Sequence, residues 1–209
     1  MIKTIEPDLL KAKFSISSKL LLGLLSRHGQ SEDASIVRGL LGCLSVLLRA
    51  QGSGADIWNQ SSTVRVMDSL LAFVIDKRPK VRKAAQHAIC AILASHSTDH
   101  DFHPVAGHTS KVLMSKMEEQ SDVKETLHLL MLFKEILPML PKQHVKSSCE
   151  SILQAMTTRD RFTLSCGFQA LYGLFVGKHY HLTISNLLMC DTDVMMFNFD
   201  INIIFTQSF

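Results

Sequence analysis

The sequence predicts an all-α solenoid of about four stacked helix pairs, and three observations carry that expectation. Apolar residues recur at three- and four-residue steps in one segment after another, as far as about residue 176. Short clusters of Gly, Pro, Ser, Asp and Gln punctuate those segments. One pattern also returns at a fixed interval: Val37-Arg38 reappears as Val81-Arg82, 44 residues on.

The elements follow in order. Residues 1–14 read as an arm or partial helix, with Pro7-Asp8 as a helix start ahead of Leu9, Leu10 and Phe14. Ile16, Leu20, Leu21, Leu24 and Leu25 place a helix over Ser15 to His28, with Gly29 as its C-terminal cap. A polar turn with Ser31, Glu32 and Asp33 as caps leads into a helix from about Asp33 to Ala50, and Gln51-Gly-Ser-Gly54 ends it. Val64, Met67, Leu70, Leu71 and Val74 predict one helix over about Ile57 to Ile75. Trp58 at its start either plugs an inter-helix groove or belongs to the core. Further helices are predicted over Pro79–Ser95, Pro104–Gln120, Val123–Leu137, Lys142–Met156 and Phe162–Val176.

That makes eight helices and no strand pattern before residue 177. A step of about 44 from Val81 lands in the Val123 helix, and a step of about 40 more lands in the Phe162 helix. Helix pairs recurring every 40–47 residues mark HEAT or armadillo-type solenoids. No pair buries its apolar stripe alone, so neighbours stack over a continuous core. Polar capping surfaces are expected at the two ends of such an array, and neither end carries an obvious one.

Composition agrees. Of 209 residues 46% are hydrophobic, ample for a core, while the net charge of +3 is too mild to mark a nucleic-acid binder, so any basic signal must be local. Five cysteines (Cys43, Cys90, Cys149, Cys166, Cys190) form no CxxC pair, and an odd count mostly on helical patterns reads as buried thiols in a reducing compartment. Met1 to Lys13 is mixed and polar, unlike a signal peptide. The apolar run Leu20–Leu25 is far too short for a bilayer, so no membrane partner is expected. Asn59-Gln-Ser61 is then a chance match to a glycosylation acceptor.

Asp76 to Leu93 is the stretch with most information. Pro79 suits a first helical turn, and Val81, Ala84, Ala85, Ala88, Ile89 and Ile92 form one stripe of mostly small residues that lets another helix approach closely. Lys77, Arg78, Lys80, Arg82 and Lys83 crowd five cations at the helix N-terminus, where the macrodipole disfavours them. That mismatch makes them the candidate RNA or partner contact; a solvated basic edge is the alternative.

Catalytic and metal chemistry find little support. His96, His100, His103 and His108, with Asp99 and Asp101, cluster in a polar loop rather than on one helical face, and no HExxH is present, so no metal site is assigned. His87 and His128 lie on helices and read as core-edge residues. There is no GxSxG, and Gly52-Ser-Gly54 lacks the Lys-Ser/Thr of a phosphate loop. Neither a catalytic residue nor a cofactor is expected. Stacking aromatics are missing from the basic turn, which favours phosphate contact over base reading.

Leu70-Leu-Ala-Phe-Val-Ile-Asp-Lys-Arg-Pro-Lys-Val-Arg-Lys-Ala-Ala-Gln-His-Ala-Ile-Cys-Ala-Ile-Leu93 resembles the ribosomal RNA processing protein 12-like family. Glu125-Thr-Leu-His-Leu-Leu-Met-Leu-Phe-Lys-Glu-Ile-Leu-Pro138 and Val145-Lys-Ser-Ser-Cys-Glu150 are similar to the same region. The likeness covers roughly residues 5–175. It implies a non-enzymatic HEAT-repeat scaffold of the nucleus and nucleolus, acting in small-subunit pre-rRNA processing and pre-ribosome export. The implied partners are pre-ribosomal particles, assembly proteins, RNA phosphates and nuclear transport factors. The alternative is a nuclear transport-type adaptor that binds protein cargo without RNA. The likeness ends near Gly177. Residues 177–209 form an atypical tail, in which Phe197, Phe199, Ile201 and Ile203 alternate with Asn198, Asp200 and Asn202 as in a strand. The tail reads as a truncated or mispredicted end rather than as a cap.

Overall fold

The computed structural model describes residues 6–95, 102–119, 122–157 and 161–176. Ten helices follow one another: α1 (Pro7–Ala12), α2 (Phe14–His28), α3 (Ala34–Arg49), α4 (Ala55–Trp58), α5 (Ser61–Leu71), α6 (Pro79–Ala94), α7 (Ala106–Glu119), α8 (Val123–Ile136), α9 (Lys142–Thr157) and α10 (Arg161–Val176). No strand occurs among the described residues.

The helices form two rows. In one, α2, α5, α7 and α9 pack in succession; in the other, α3, α6, α8 and α10 do. Rungs join α2 to α3, α5 to α6, α7 to α8 and α9 to α10. These are the four pairs of an all-α, HEAT-type solenoid. The second helices begin at residues 34, 79, 123 and 161, steps of 45, 44 and 38, so the interval read from Val37 and Val81 is the structural repeat.

Packing follows the apolar stripes. Val37, Leu41, Leu44 and Leu48 of α3 meet Val81, Ala85, Ile89 and Ile92 of α6 in one core that continues through Leu129, Leu130, Phe133 and Ile136 of α8, and every one of these side chains is fully buried. Alanines at 84, 85 and 88 let α3 and α6 pack along their length, the most extensive contact in the fold. Two caps are made as the sequence expects. Asp33 accepts from the Ser35 N–H at 2.8 Å, and Asp122 accepts from the Lys124 N–H at 2.8 Å.

Several boundaries differ from expectation. The single helix over Ile57–Ile75 is two, α4 and α5, because Gln60 takes an extended conformation. The Trp58 indole N–H donates to the Gly52 carbonyl at 2.8 Å, and the Trp58 ring meets His103 edge-on at 4.5 Å, so Trp58 is core, and it anchors α4 against the preceding loop. Gly52 is the one described glycine with positive φ (75°), which explains its place in that loop. Gly29 ends α2 in right-handed geometry, so it is not there for left-handed backbone. A Cβ there would instead stand 2.6 Å from the Leu25 carbonyl oxygen, with the Phe73 ring at 3.4 Å. A 3-10 turn over Leu137–Met139 finishes α8.

Polar ties between neighbouring pairs add to the apolar core. Gln86 donates to the carbonyls of Val74 and His128, at 3.0 and 3.3 Å. Asp68 and His108 meet at 2.6 Å across α5 and α7, and the Ser110 and Ser148 hydroxyls at 2.9 Å across α7 and α9. Cys43, Cys90, Cys149 and Cys166 are free thiols. Burial pushes the Cys90 thiol up to about 11 and Cys149 to about 12, which keeps both protonated. No described helix is long and apolar enough to cross a membrane. Cys190 and the strand-like pattern of 177–209 lie outside the described residues.

Phe133 is the largest fully buried side chain at the centre of this core. Phe133→Ala is expected to destabilise the chain by about 3–5 kcal/mol, read as a lowered urea midpoint by circular dichroism.

Candidate interaction surface

The turn before α6 is built around Asp76. Its carboxylate accepts from the Arg78 backbone N–H at 2.8 Å and from the Arg78 guanidinium at 2.9 and 2.7 Å. The other face of that guanidinium donates to the Gly29 carbonyl at 2.7 Å and to the Ser31 carbonyl, both in the α2–α3 turn. Arg82 donates to the Asp76 carbonyl at 2.8 Å. Planar, fixed donors make one arginine bridge a carboxylate and two carbonyls at once.

The five cations therefore divide. Arg78 and Arg82 are half-buried and hold the turn together, while Lys77, Lys80 and Lys83 are exposed. Lys80 and Lys83 share one face of α6, and His87, one turn on, is exposed beside them, a correction to its reading as a core-edge residue. The signal was present in the sequence: positions 80, 83 and 87 fall at helical steps opposite the Val81–Ile92 stripe. His128 is half-buried as expected, and burial followed by the nearby Arg82 charge lowers its pKa, so it is held neutral.

No side chain caps α6, and its first turn holds no carboxylate. The open dipole end and the lysines then add to one positive potential. The row to which α6 belongs extends it. Helices α3, α6, α8 and α10 carry Arg38, Arg49, Lys80, Arg82, Lys83, Lys124, Lys134 and Arg161 against only Glu125 and Glu135. The other row balances seven cations with four carboxylates. Glu32 and Asp33 border the lysines on the α2–α3 side, next to the Ser31 that Arg78 holds.

A shallow groove of about 250 Å³ runs between α6 and α8, lined by Lys83, Gln86, His87, Cys90, Met131, Leu132 and Glu135. Among the described residues no group of three or more His, Cys, Asp or Glu is arranged to hold a metal. His103 packs on Trp58 and its Nδ1 accepts from the Val105 N–H, while His108 meets Asp68. His96, His100, Asp99 and Asp101 lie outside the described residues.

Arg78→Lys and Arg78→Ala are each expected to cost about 2 kcal/mol, since neither keeps the fork of charge-assisted bonds. Lys77→Ala, Lys80→Ala and Lys83→Ala should each stay within about 0.5 kcal/mol. Chemical denaturation of the five variants checks the division. The Arg78 hydrogen bonds hold the Asp76 carboxyl below its ordinary value of 3.8. Its contribution is therefore fully present above about pH 4 and is lost as pH falls through the lower folded value. The melting temperature of Asp76→Asn should depend less on pH than that of the parent chain in that window.

Similarity to known proteins places this geometry in a family. A family model described as RRP12-like, N-terminal HEAT repeats, matches residues 1–177. The RRP12-like protein of Homo sapiens is 35% identical over 182 residues, which cover 84% of this chain and 14% of that protein. The RRP12-like protein of Drosophila melanogaster is 34% identical over 206 residues, covering 88% and 15%. Ribosomal RNA-processing protein 12 of Saccharomyces cerevisiae is 24% identical over 199 residues, covering 80% and 16%. The chain thus spans only 14–16% of the length of these relatives. With its four stacked helix pairs and this extent of match, the chain belongs to the RRP12-like family, in the region of its N-terminal HEAT repeats.

Proposed function

We propose that this chain is a non-enzymatic scaffold segment in ribosome assembly, working in the nucleus and nucleolus in small-subunit pre-rRNA processing and pre-ribosome export. Its partners are pre-ribosomal particles and assembly proteins, and it touches RNA through phosphates. The supporting observation is the division of the basic turn. Arg78 and Arg82 are committed to positioning, which leaves Lys77, Lys80 and Lys83 projecting at an uncapped helix start on the more basic row. Such an array suits a phosphate backbone: three mobile ammonium groups, no stacking aromatic among them, and no carboxylate in the first turn of α6. No described residue constellation resembles a nucleophile with its base.

One observation favours a second reading, a transport-type adaptor that binds protein cargo without RNA. The α6–α8 groove places Met131, Leu132 and Cys90 beside Lys83, soft apolar surface suited to a peptide side chain.

Salt titration of binding to a fluorescent single-stranded pre-ribosomal RNA separates the two. The parent chain should bind with a falling log K against log salt. The triple variant Lys77→Glu/Lys80→Glu/Lys83→Glu should lose most affinity and reduce the slope by about 2, at roughly 0.7 per phosphate contact. Unchanged RNA binding in the triple variant would remove the lysines from the site, and no RNA binding by the parent chain would favour the adaptor.

A further inference from the structure

Helices α1 and α2 carry an outward stripe that nothing described in the fold covers. The backbone passes between them at Lys13 with helical bonding on either side: the Lys13 N–H donates to the Leu9 carbonyl at 3.0 Å, and the Ser17 N–H donates to the Lys13 carbonyl at 3.0 Å. Leu10, Phe14, Ser18 and Leu25 point into the solenoid. On the opposite side Leu9, Ile16 and Leu20 are 52, 69 and 64% exposed. Scattered exposed apolar residues are ordinary. These are not scattered. Leu9, Ile16 and Leu20 fall on one helical face at steps of seven and four, with Lys13 and Arg27 beside them. Gly23, three residues past Leu20, has open space where a side chain would stand, so a partner backbone can come close there.

The charges beside the stripe describe the partner. Lys11, Lys13, Lys19 and Arg27 are all exposed, and none has an ion-pair partner among the described residues. Only Glu6 and Asp8 oppose them in this segment. We infer that the α1–α2 stripe docks an amphipathic α-helix of another protein, with aliphatic residues along one face and carboxylates flanking them. An apolar row along a helix face suits a helix laid alongside it, and the unpaired cations select acidic flanks. A second copy of this chain fits poorly, because it would set four more cations against the first four.

The test uses the intact chain and two fluorescent 21-residue helical peptides with Leu and Ile along one face, one flanked by Glu and one by Lys. Anisotropy should show the Glu-flanked peptide binding at least about tenfold more tightly than the Lys-flanked one. Ile16→Glu/Leu20→Glu should weaken it by about tenfold or more. Lys13→Glu/Lys19→Glu, which leaves the apolar residues intact, should narrow or invert the preference between the peptides. All four substituted positions are exposed, and circular dichroism verifies that each variant folds. Equal binding of both peptides, no binding of either, or indifference to Ile16 and Leu20 overturns the inference. So does a concentration-dependent dimer of the parent chain that Ile16→Glu/Leu20→Glu abolishes, since the stripe would then be a self-contact.

Discussion

Apolar burial in this fold crosses from one helix pair to the next. Val37, Leu41, Leu44 and Leu48 of α3 are buried chiefly against α6 of the next pair, and α8 meets α10 in the same way. Burial therefore runs along the array rather than within a pair. At about 25 cal/mol per Å² of apolar surface removed from water, contacts between pairs supply much of the driving force that contacts inside a globular unit would supply elsewhere. The repeat length follows: each unit must return its second helix to the same row, which takes two helices and two turns.

Hydrophobic stacking alone leaves neighbouring pairs free to slide. The polar ties restrict that freedom, because hydrogen bonds are directional where burial is not. Arg78 pins the second pair to the turn of the first, Gln86 links the second and third, and Ser110 with Ser148 links the third and fourth. The same ties set the electrostatics. The Asp76 turn engages the guanidinium groups of Arg78 and Arg82 in half-buried positions and leaves the lysines exposed. Of five charges along the chain, three project freely into solvent. Among the described residues the exposed large apolar side chains are Leu9, Ile16 and Leu20 on α1 and α2, Phe162 and Tyr172 on α10, and Ile36 and Met131 between them.

Much of the fold was legible before any coordinates. The helices over Phe14–His28, Ala34–Arg49, Pro79–Ala94, Lys142–Thr157 and Arg161–Val176 lie within a residue or so of the periodic segments, because a 3.6-residue apolar period is a local property. The break between α4 and α5 was not legible. It falls beside Trp58, whose partners, the Gly52 carbonyl and the His103 ring, are not apparent from the local sequence. The basic turn was visible as composition, and its division was not, since the Arg78 partners are backbone carbonyls 47 and 49 residues away.

The sequence by itself determined the class, the repeat and the family resemblance, since apolar period, turn residues and a 44-residue recurrence are written in the chain one position after another. It also determined which helix would carry the cations. Only the tertiary structure decided which cations reach solvent, that His87 joins them, and that the helix predicted over Ile57–Ile75 is divided at Gln60. It also decided that one side of α1–α2 stands uncovered among the described residues. Each of those outcomes depends on groups far apart in the chain meeting in space, and burial and hydrogen-bond partnership are properties of that meeting rather than of any residue.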